Sequence, residues 1–204
     1  DILDRINSGP KRAEFERLAG IVDDMLRTQR EAIREGGLET NETLDAWEAS
    51  YRYYVPLKGF AEDDKADTGR PRTGRGFEIK GKESKTALGR LSRADSPSTQ
   101  AIVDTTQAII RRRKNEVGNA LLSLVTDNPN PDLWQVYTND NPDTQRVRVT
   151  VTDPATGRDK VEARERPIAM EGDERYFKTK KAGRTFYIKI KDERLMNAMR
   201  NVGP

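Results

Sequence analysis

The sequence contains no cysteine and no histidine. Their absence excludes thiol nucleophiles, imidazole bases, Ser-His-Asp catalysis, disulfides and every zinc site built from cysteine or histidine. Aromatic residues make up only 6% of the chain, and no apolar run approaches the roughly 18 residues that cross a bilayer. We therefore expect a protein that is not an enzyme and holds no metal or cofactor, although an enzyme that works through carboxylates remains an alternative.

Apolar residues are also scarce for a compact globule. Of the 204 residues, 34% are hydrophobic and 35% are charged, which is toward the polar limit for a folded domain. We expect a modest core whose burial is completed by a partner or by more of the same polypeptide. The chain begins at Asp1 rather than at a methionine, and we interpret it as a fragment of a larger polypeptide.

What the chain does contain is a concentrated basic run at residues 69–93. Eight lysines or arginines and two acids fall within it, whereas the whole chain has a net charge of only +3. Concentrated cations with few apolar neighbours usually serve a polyanion or stay solvated. Four consecutive cations farther along the chain complete the candidate nucleic-acid-binding set: Arg70, Arg72, Arg75, Lys80, Lys82, Lys85, Arg90, Arg93, Arg111, Arg112, Arg113 and Lys114.

Two interpretations of the basic run remain open. In the first, its side chains and glycine amides grip DNA phosphates without reading bases, which gives salt-sensitive and sequence-tolerant binding. In the second, the run is a solvated loop or is neutralised by the acidic residues 62–67 just before it. A phosphate-binding P-loop is not supported, because Glu83 follows Gly81-Lys82 where a Ser or Thr would ligate magnesium.

The periodicity of the sequence predicts an α+β fold, with N-terminal long helices followed by antiparallel β-hairpins and a short C-terminal helix. The predicted divisions are a helical hairpin at 1–58, a basic glycine-rich loop region at 59–95, one long helix at 96–127, and β-hairpins plus the last helix at 133–204.

Two apolar stripes define the longest predicted helices. The first helix runs from Pro10 to about Arg34, and we assign its stripe to core packing in preference to a coiled-coil seam: Phe15, Leu18, Val22, Met25, Gln29 and Ala32. The long helix begins at the Ser96-Pro97 signal. Its apolar side is predicted to consist of Ile102, Thr106, Ile109, Val117, Leu121 and Leu124.

Shorter elements are predicted from local signals. A second helix begins at Thr40 or Asn41 and ends before Pro56, with an aromatic face of Leu44, Trp47, Tyr51 and Tyr54. Alternation with a period of two predicts two hairpins, which pair residues 146–152 with 160–164 and residues 176–180 with 185–191. Residues 77–79 are predicted to form a short strand, and Asp192 to cap the last helix.

Several strings between about residues 37 and 201 resemble a known kind of polypeptide. They are YYVPLKGF (53–60), GRGFEIKGKESK (74–85), ALGR (87–90), QAII (107–110), KNEVG (114–118), NPNPDLW (128–134) and the closing hairpin and helix (176–198). This block is similar to a connecting region of the large polyvalent proteins of phages and prophages. Their relatives include internal virion (ejection) proteins of short-tailed phages and DarB-like antirestriction proteins.

The resemblance implies a connecting or structural module, and it carries over no catalytic residues. We expect a non-enzymatic structural domain of a large internal virion protein, delivered with the genome into the host cell envelope or cytoplasm. The expected partners are DNA phosphates, other virion proteins, further copies of the chain in a homo-oligomer, and the remainder of the parent polypeptide. The alternative is a DNA-binding antirestriction module that protects incoming phage DNA.

Overall fold

The computed structural model describes residues 2–50, 75–81, 83 and 96–202. These residues form an α+β fold, which confirms the predicted class. The helices are α1 (Ile2–Ser8), α2 (Arg12–Glu35), α3 (Asn41–Ser50), α4 (Pro97–Asp127) and α5 (Glu193–Asn201). The strands are β1 (Trp134–Thr138), β2 (Thr144–Thr152), β3 (Asp159–Pro167), β4 (Tyr176–Lys181) and β5 (Arg184–Ile190). None of the helices in this part of the chain is long and apolar enough to cross a membrane.

Three antiparallel strands make the central sheet, in the order β1-β5-β4. β5 lies in the middle, with Trp134 of β1 opposite Ile190 and β4 along its other edge. Because side chains alternate between the two faces of a strand, Phe186, Ile188 and Ile190 share one face. The helices α4 and α5 cover that face.

The main core lies between this face of the sheet and the two helices. From α4, Leu121, Leu122 and Val125 point into it. They pack against side chains of the sheet and of α5: Phe177, Ile188, Ile190, Met196 and Met199. The first turn of α5 is capped as predicted, since the Asp192 carboxylate accepts a hydrogen bond from the Leu195 amide at 2.8 Å.

α2 runs beside α4 in the same direction. The hydroxyl of Thr105 donates to the carbonyl of Met25 at 3.0 Å, and farther along both helices Arg112 bonds Glu35. A second apolar cluster fills the space where α2, α3 and α4 meet, and it consists of Ala32, Ile33, Leu38, Leu44, Ile79 and Ala108.

The predicted stripe of α2 is buried only toward the end of the helix. The helix ends before Gly36, as predicted, and Ala32 is buried. Phe15 and Leu18, however, are 47% and 51% exposed, so core packing is wrong for the first turns. The reason is geometric, because α4 begins only at Pro97 and the start of α2 extends past the helix that covers the rest.

The predicted apolar side of α4 is wrong, although the span of the helix is confirmed. Of its six residues only Leu121 is buried, while Ile102 and Leu124 are 52% and 51% exposed. The side that packs on α2 and the sheet is largely small or polar, and its buried residues besides the three core residues are Gln100, Ala101, Asp104, Ala108, Lys114, Asn115 and Gly118. A pattern that counts large apolar residues therefore selects the opposite side.

Residues 77–79 do not form the predicted strand. The amide of Phe77 donates to the carbonyl of Met199 at 2.8 Å, and the amide of Ile79 donates to the carbonyl of Lys178 at 3.1 Å. Two isolated bonds therefore tie this segment to α5 and to the outer edge of β4, without a regular ladder.

Other short elements are partly confirmed. α3 begins at Asn41, and Leu44 on its predicted aromatic face is fully buried. The predicted end of that helix, with Tyr51 and Tyr54, lies outside the described residues. α1 and β1 were not predicted from the sequence. Most of the predicted loop region at 59–95 also lies outside the described residues.

The first predicted hairpin is a separate two-stranded ribbon, formed by β2 and β3. The strands pair along their whole length, from Thr144 opposite Pro167 to Thr152 opposite Asp159. In the described part of the chain no third strand joins either edge, and most of the side chains are exposed on both faces. Nine residues at about 3.4 Å each make a projection of about 30 Å.

Candidate nucleic-acid interface

The structure describes six of the twelve candidate binding residues. Arg75 and Lys80 are exposed within the basic run, and the other four are consecutive on α4 (residues 111–114). The remaining candidates lie outside the described residues: Arg70, Arg72, Lys82, Lys85, Arg90 and Arg93. The described part of the run lies against α4, so the two groups of candidates are neighbours in space.

Arg111 is held by the basic run itself. Its Nη1 donates to the carbonyl of Lys80 at 2.7 Å, and its Nε donates to the Glu83 carboxylate at 3.1 Å. A second N–H of the guanidinium bonds the other carboxylate oxygen, so that the pair is bidentate. Glu83, which occupies the Ser or Thr position of a P-loop, thus links the basic run to α4 and neutralises Arg111.

Arg112 and Arg113 are also paired with carboxylates. Arg112 bonds Glu35 at the end of α2 and, through Nε, bonds Glu116 at 2.9 Å. Arg113 bonds the other oxygen of Glu116 at 3.0 Å, yet its side chain remains 66% exposed. Hydrogen bonds from Arg113 and then Arg112 hold the pKa of the Glu116 carboxyl below its ordinary value. Arg113 is therefore the most accessible of the four helix cations.

Lys114 points into the protein and is only 3% exposed. Burial, followed by the positive charges of Arg111 and Lys80, lowers the pKa of its ammonium group. A side chain in this position cannot reach the phosphates of a duplex outside the protein. The four consecutive cations therefore do not form one continuous binding surface.

A second buried lysine, Lys180 on β4, is a residue that the sequence analysis missed. Its Nζ donates to the carbonyl of Leu38 at 3.0 Å and lies 3.7 Å from the Glu83 carboxylate. Burial lowers the pKa of Lys180, and the charge of Glu83 partly offsets that effect. The alternating lysines of β4 are visible in the sequence, but no local signal indicates which residues cover them.

Asn115 joins the elements around these lysines and was also missed. Its side-chain amide donates to the carbonyls of Gly36 and Lys180 at 2.7 and 2.6 Å. Its Oδ1 accepts from the Thr179 hydroxyl at 2.8 Å and from the Lys180 amide at 2.9 Å. The side chain is fully buried, and all of its hydrogen-bonding capacity is used inside the fold.

The face of the sheet turned away from α4 carries a buried carboxylate. Asp143 accepts hydrogen bonds from the Tyr176 hydroxyl and the Lys189 Nζ, both at 2.6 Å. Burial raises the pKa of Asp143, but the two hydrogen bonds outweigh it and the net shift is downward. Burial and then Asp143 raise the pKa of Tyr176.

A matching group surrounds Glu171, which lies before β4. It accepts from the Lys178 Nζ at 2.5 and 2.6 Å and from the Tyr187 hydroxyl at 3.0 Å. Burial and the bond to Glu171 raise the pKa of Tyr187 to about 12. The lysine and tyrosine therefore neutralise and orient the carboxylate. Within the described residues, no three acidic side chains gather into a group that could hold a metal ion.

Further accessible positive charge lies on the ribbon, whose cations were not among the candidates predicted from the sequence. Residues 144–167 contain six lysines or arginines and four acids. Glu162 is paired with Lys160 and Arg164 at 2.9 and 3.2 Å. Three exposed arginines of the ribbon form no ion pair in the described part of the chain: Arg148, Arg158 and Arg166. Because they lie on opposite faces and at the turn, the ribbon presents positive charge on all sides.

The chain was compared with protein-family models, with curated proteins and with solved structures. None of the three comparisons found a match.

Proposed function

We propose that this chain is a non-enzymatic structural domain of a large phage internal virion (ejection) protein, and that its β2–β3 ribbon contacts the phosphates of DNA. The observation that carries the DNA contact is the projection of the ribbon with three exposed arginines that form no ion pair with any described residue. Other virion proteins and the rest of the parent polypeptide are the further partners. The domain is delivered with the genome into the host cell envelope or cytoplasm.

The ribbon has dimensions that suit a DNA groove. A two-stranded β-ribbon fits the major groove of B-DNA, which is about 12 Å wide. Its length of about 30 Å approaches one turn of the duplex. Arginine guanidinium groups form strong bidentate bonds with phosphates. Because phosphates carry no sequence information, this contact is expected to tolerate any DNA sequence.

The ribbon is a stronger candidate than the cations of α4, because Arg111 and Arg112 are engaged by carboxylates and Lys114 is buried. The basic run itself remains the second candidate for the same DNA contact, with Arg75 and Lys80 exposed within it. The structural role is supported by the resemblance at residues 37–201 and by a composition without histidine or cysteine.

Fluorescence anisotropy with a labelled duplex, read at several salt concentrations, tests the DNA contact. The triple substitution Arg148→Ala, Arg158→Ala and Arg166→Ala is expected to weaken binding equally for unrelated DNA sequences. Each lost phosphate contact flattens the slope of log K against log salt by about 0.9, so the expected change in slope is about 2 to 3.

Two matched triple variants control for the loss of three charges. The first replaces Arg12, Arg17 and Arg27, exposed residues of α2, by alanine, and it should keep the wild-type slope. The second replaces Arg70, Arg72 and Arg75 by alanine. If this second variant lowers affinity and the ribbon variant does not, the contact belongs to the basic run. If wild-type protein binds no duplex at low salt, the proposed contact with DNA is wrong.

Mass spectrometry of purified virions tests the virion role. Peptides of this chain and of its flanking regions are expected at a few to a dozen copies per particle. Their absence from virions, together with their presence in infected cells, would contradict the ejection function. It would instead favour the antirestriction alternative, in which a similar contact with phosphates protects incoming DNA inside the host.

A further inference from the structure

The side of α4 opposite the core exposes a continuous stripe, which we call the α4 stripe. It consists of Ile102, Thr106, Ile109, Arg113, Val117, Ala120 and Leu124, all of them exposed. Its four large apolar side chains are between 36% and 52% exposed. The hydroxyl of Thr106 is satisfied by the carbonyl of Ile102 at 2.8 Å. The 22 helical steps from Ile102 to Leu124 make the stripe about 33 Å long, and long exposed apolar stripes on a helix mark interaction surfaces.

The intervals between the residues of the stripe are the same when counted from either end. From Ile102 to Leu124 the steps are four, three, four, four, three and four residues, with Arg113 at the centre. Side chains at equal distances from the centre also match in kind. Ile109 corresponds to Val117, and two small residues, Thr106 and Ala120, correspond to each other.

We infer that the α4 stripe is the contact surface for a second copy of this chain, and that the two α4 helices pair antiparallel about Arg113. In a two-fold symmetric contact the same patch is used by both copies, so the patch must complement itself. An antiparallel pair centred on Arg113 places Ile102 opposite Leu124 of the other copy. It also places Ile109 opposite Val117, and the small residues opposite each other.

Charge supports the same register. Two Arg113 side chains meet at the symmetry axis, where they would repel each other if they were alone. Glu116 is three residues from the axis, which is about 4.5 Å along the helix, and it already accepts a bond from Arg113 of its own helix at 3.0 Å. Each Arg113 therefore lies within one turn of Glu116 from both copies, so the four charges cancel. A parallel pair would instead place every Glu116 opposite another Glu116.

The natural absence of cysteine allows a direct test by disulfide trapping in the whole chain. Thr106→Cys and Ala120→Cys are prepared as separate variants, and each is oxidised alone and in an equal mixture. The antiparallel pair predicts that the mixture forms a mixed disulfide dimer and that each variant alone forms much less. If each variant instead crosslinks to itself as readily as to the other, the antiparallel register is overturned.

Sedimentation equilibrium tests the surface itself. Wild-type protein is expected to be a dimer at tens of micromolar, and the double substitution Ile109→Glu and Val117→Glu is expected to weaken the dimer at least 100-fold. Glutamate is a good helix former and both sites are exposed, so the circular dichroism should not change. Val161→Glu, at the most exposed valine of the ribbon, is the control and should leave the dimer intact.

A wild-type protein that stays monomeric at 100 micromolar would overturn the inference, and so would a double variant that still dimerises. The contact is independent of the ribbon and its DNA. A DNA-binding monomer would therefore refute this inference alone, and a dimer that does not bind DNA would refute only the proposed DNA contact.

Discussion

The side chain of Asn115 connects the turn after α2, the helix α4 and the strand β4 through four hydrogen bonds. Asn115, Gly36 and Lys180 are all buried, so removal of this amide takes a donor from two carbonyls that lie away from solvent. Buried polar groups that lose their partner cost about 1–3 kcal/mol each. A single buried polar residue therefore contributes to stability on the same scale as a large apolar residue of the core.

We predict that Asn115→Ala lowers the free energy of unfolding by at least about 3 kcal/mol. Urea denaturation followed by circular dichroism measures this change. Asn119→Ala, one turn farther along α4, is the control, since the Asn119 Oδ1 is buried without a partner among the described residues. That variant should change stability by less than about 1 kcal/mol. Equal losses from both variants would contradict the role given to Asn115.

At the scale of single residues, the sequence predicted those interactions whose two partners are close together along the chain. The cap at Asp192 is confirmed because its partner is three residues away. Asn115 and Glu83 were not identified as structural, because their partners lie far along the chain: Thr179 is 64 residues from Asn115, and Arg111 is 28 residues from Glu83. No local pattern encodes such pairs.

Two glycines in helices show how closely these elements approach their neighbours. A Cβ on Gly118 of α4 would lie 2.5 Å from the Thr179 hydroxyl oxygen and 3.0 Å from the Thr179 Cβ. A Cβ on Gly20 of α2 would meet nothing within 4 Å. The first glycine permits the contact between α4 and β4, whereas the second only weakens its helix.

We therefore predict opposite effects for the same substitution. Gly118→Ala should destabilise the protein by about 1–3 kcal/mol, because β4 must move away from α4. Gly20→Ala should stabilise it by up to about 1 kcal/mol, through the higher helix propensity of alanine. Thermal and urea unfolding of both variants measure the difference. Destabilisation by Gly20→Ala would mean that another element covers this part of α2.

At the scale of elements, the first and last residues of a helix were more predictable than the side of the helix that is buried. The first residue of α4 is predicted by Ser96-Pro97, and its last residue by the Asp, Asn and Pro residues at 127–132. Both signals lie directly at the ends of the helix. Its buried side is formed partly by Ala101, Ala108 and Gly118, because short side chains let two helices or a helix and a strand come close. In a helix whose large apolar residues lie on the other side, periodicity alone identifies the exposed stripe.

For the whole molecule, three carboxylates that are paired with cations predict how the free energy of unfolding depends on pH: Asp143, Glu171 and Asp173. The pKa of Asp143 is lower in the folded protein than its ordinary 3.8. A carboxyl with a lowered pKa contributes stability above the unfolded value and loses it as the pH falls through the folded value. The pKa of Glu171 is also lowered, and hydrogen bonds from Arg175 lower that of Asp173 to about 2.

We accordingly predict a steep loss of stability as the pH falls from about 4 toward 2. Asp143→Asn should lower the urea midpoint at neutral pH and reduce the further loss on acidification. It should not abolish that loss, since the other two carboxyls still titrate. Asp140→Asn, in an exposed turn, is the control and should follow the wild-type profile. If the urea midpoint changes with pH by the same amount in Asp143→Asn and in the wild type, the hydrogen bonds to Asp143 do not contribute to the pH dependence of stability.

The position of β5 in the sheet has a consequence for synthesis. It is the last strand to be made, yet it lies between the other two and pairs with both. More than 60 residues separate the end of α4 from the end of β5, which at roughly 5–20 residues per second is several seconds of translation. Until β5 leaves the ribosome, β1 and β4 lack their partner strand, and Leu121, Leu122 and Val125 of α4 lack the strand side chains that cover them. The nascent chain therefore passes through an interval in which α4 is complete and the core between α4 and the sheet does not yet exist.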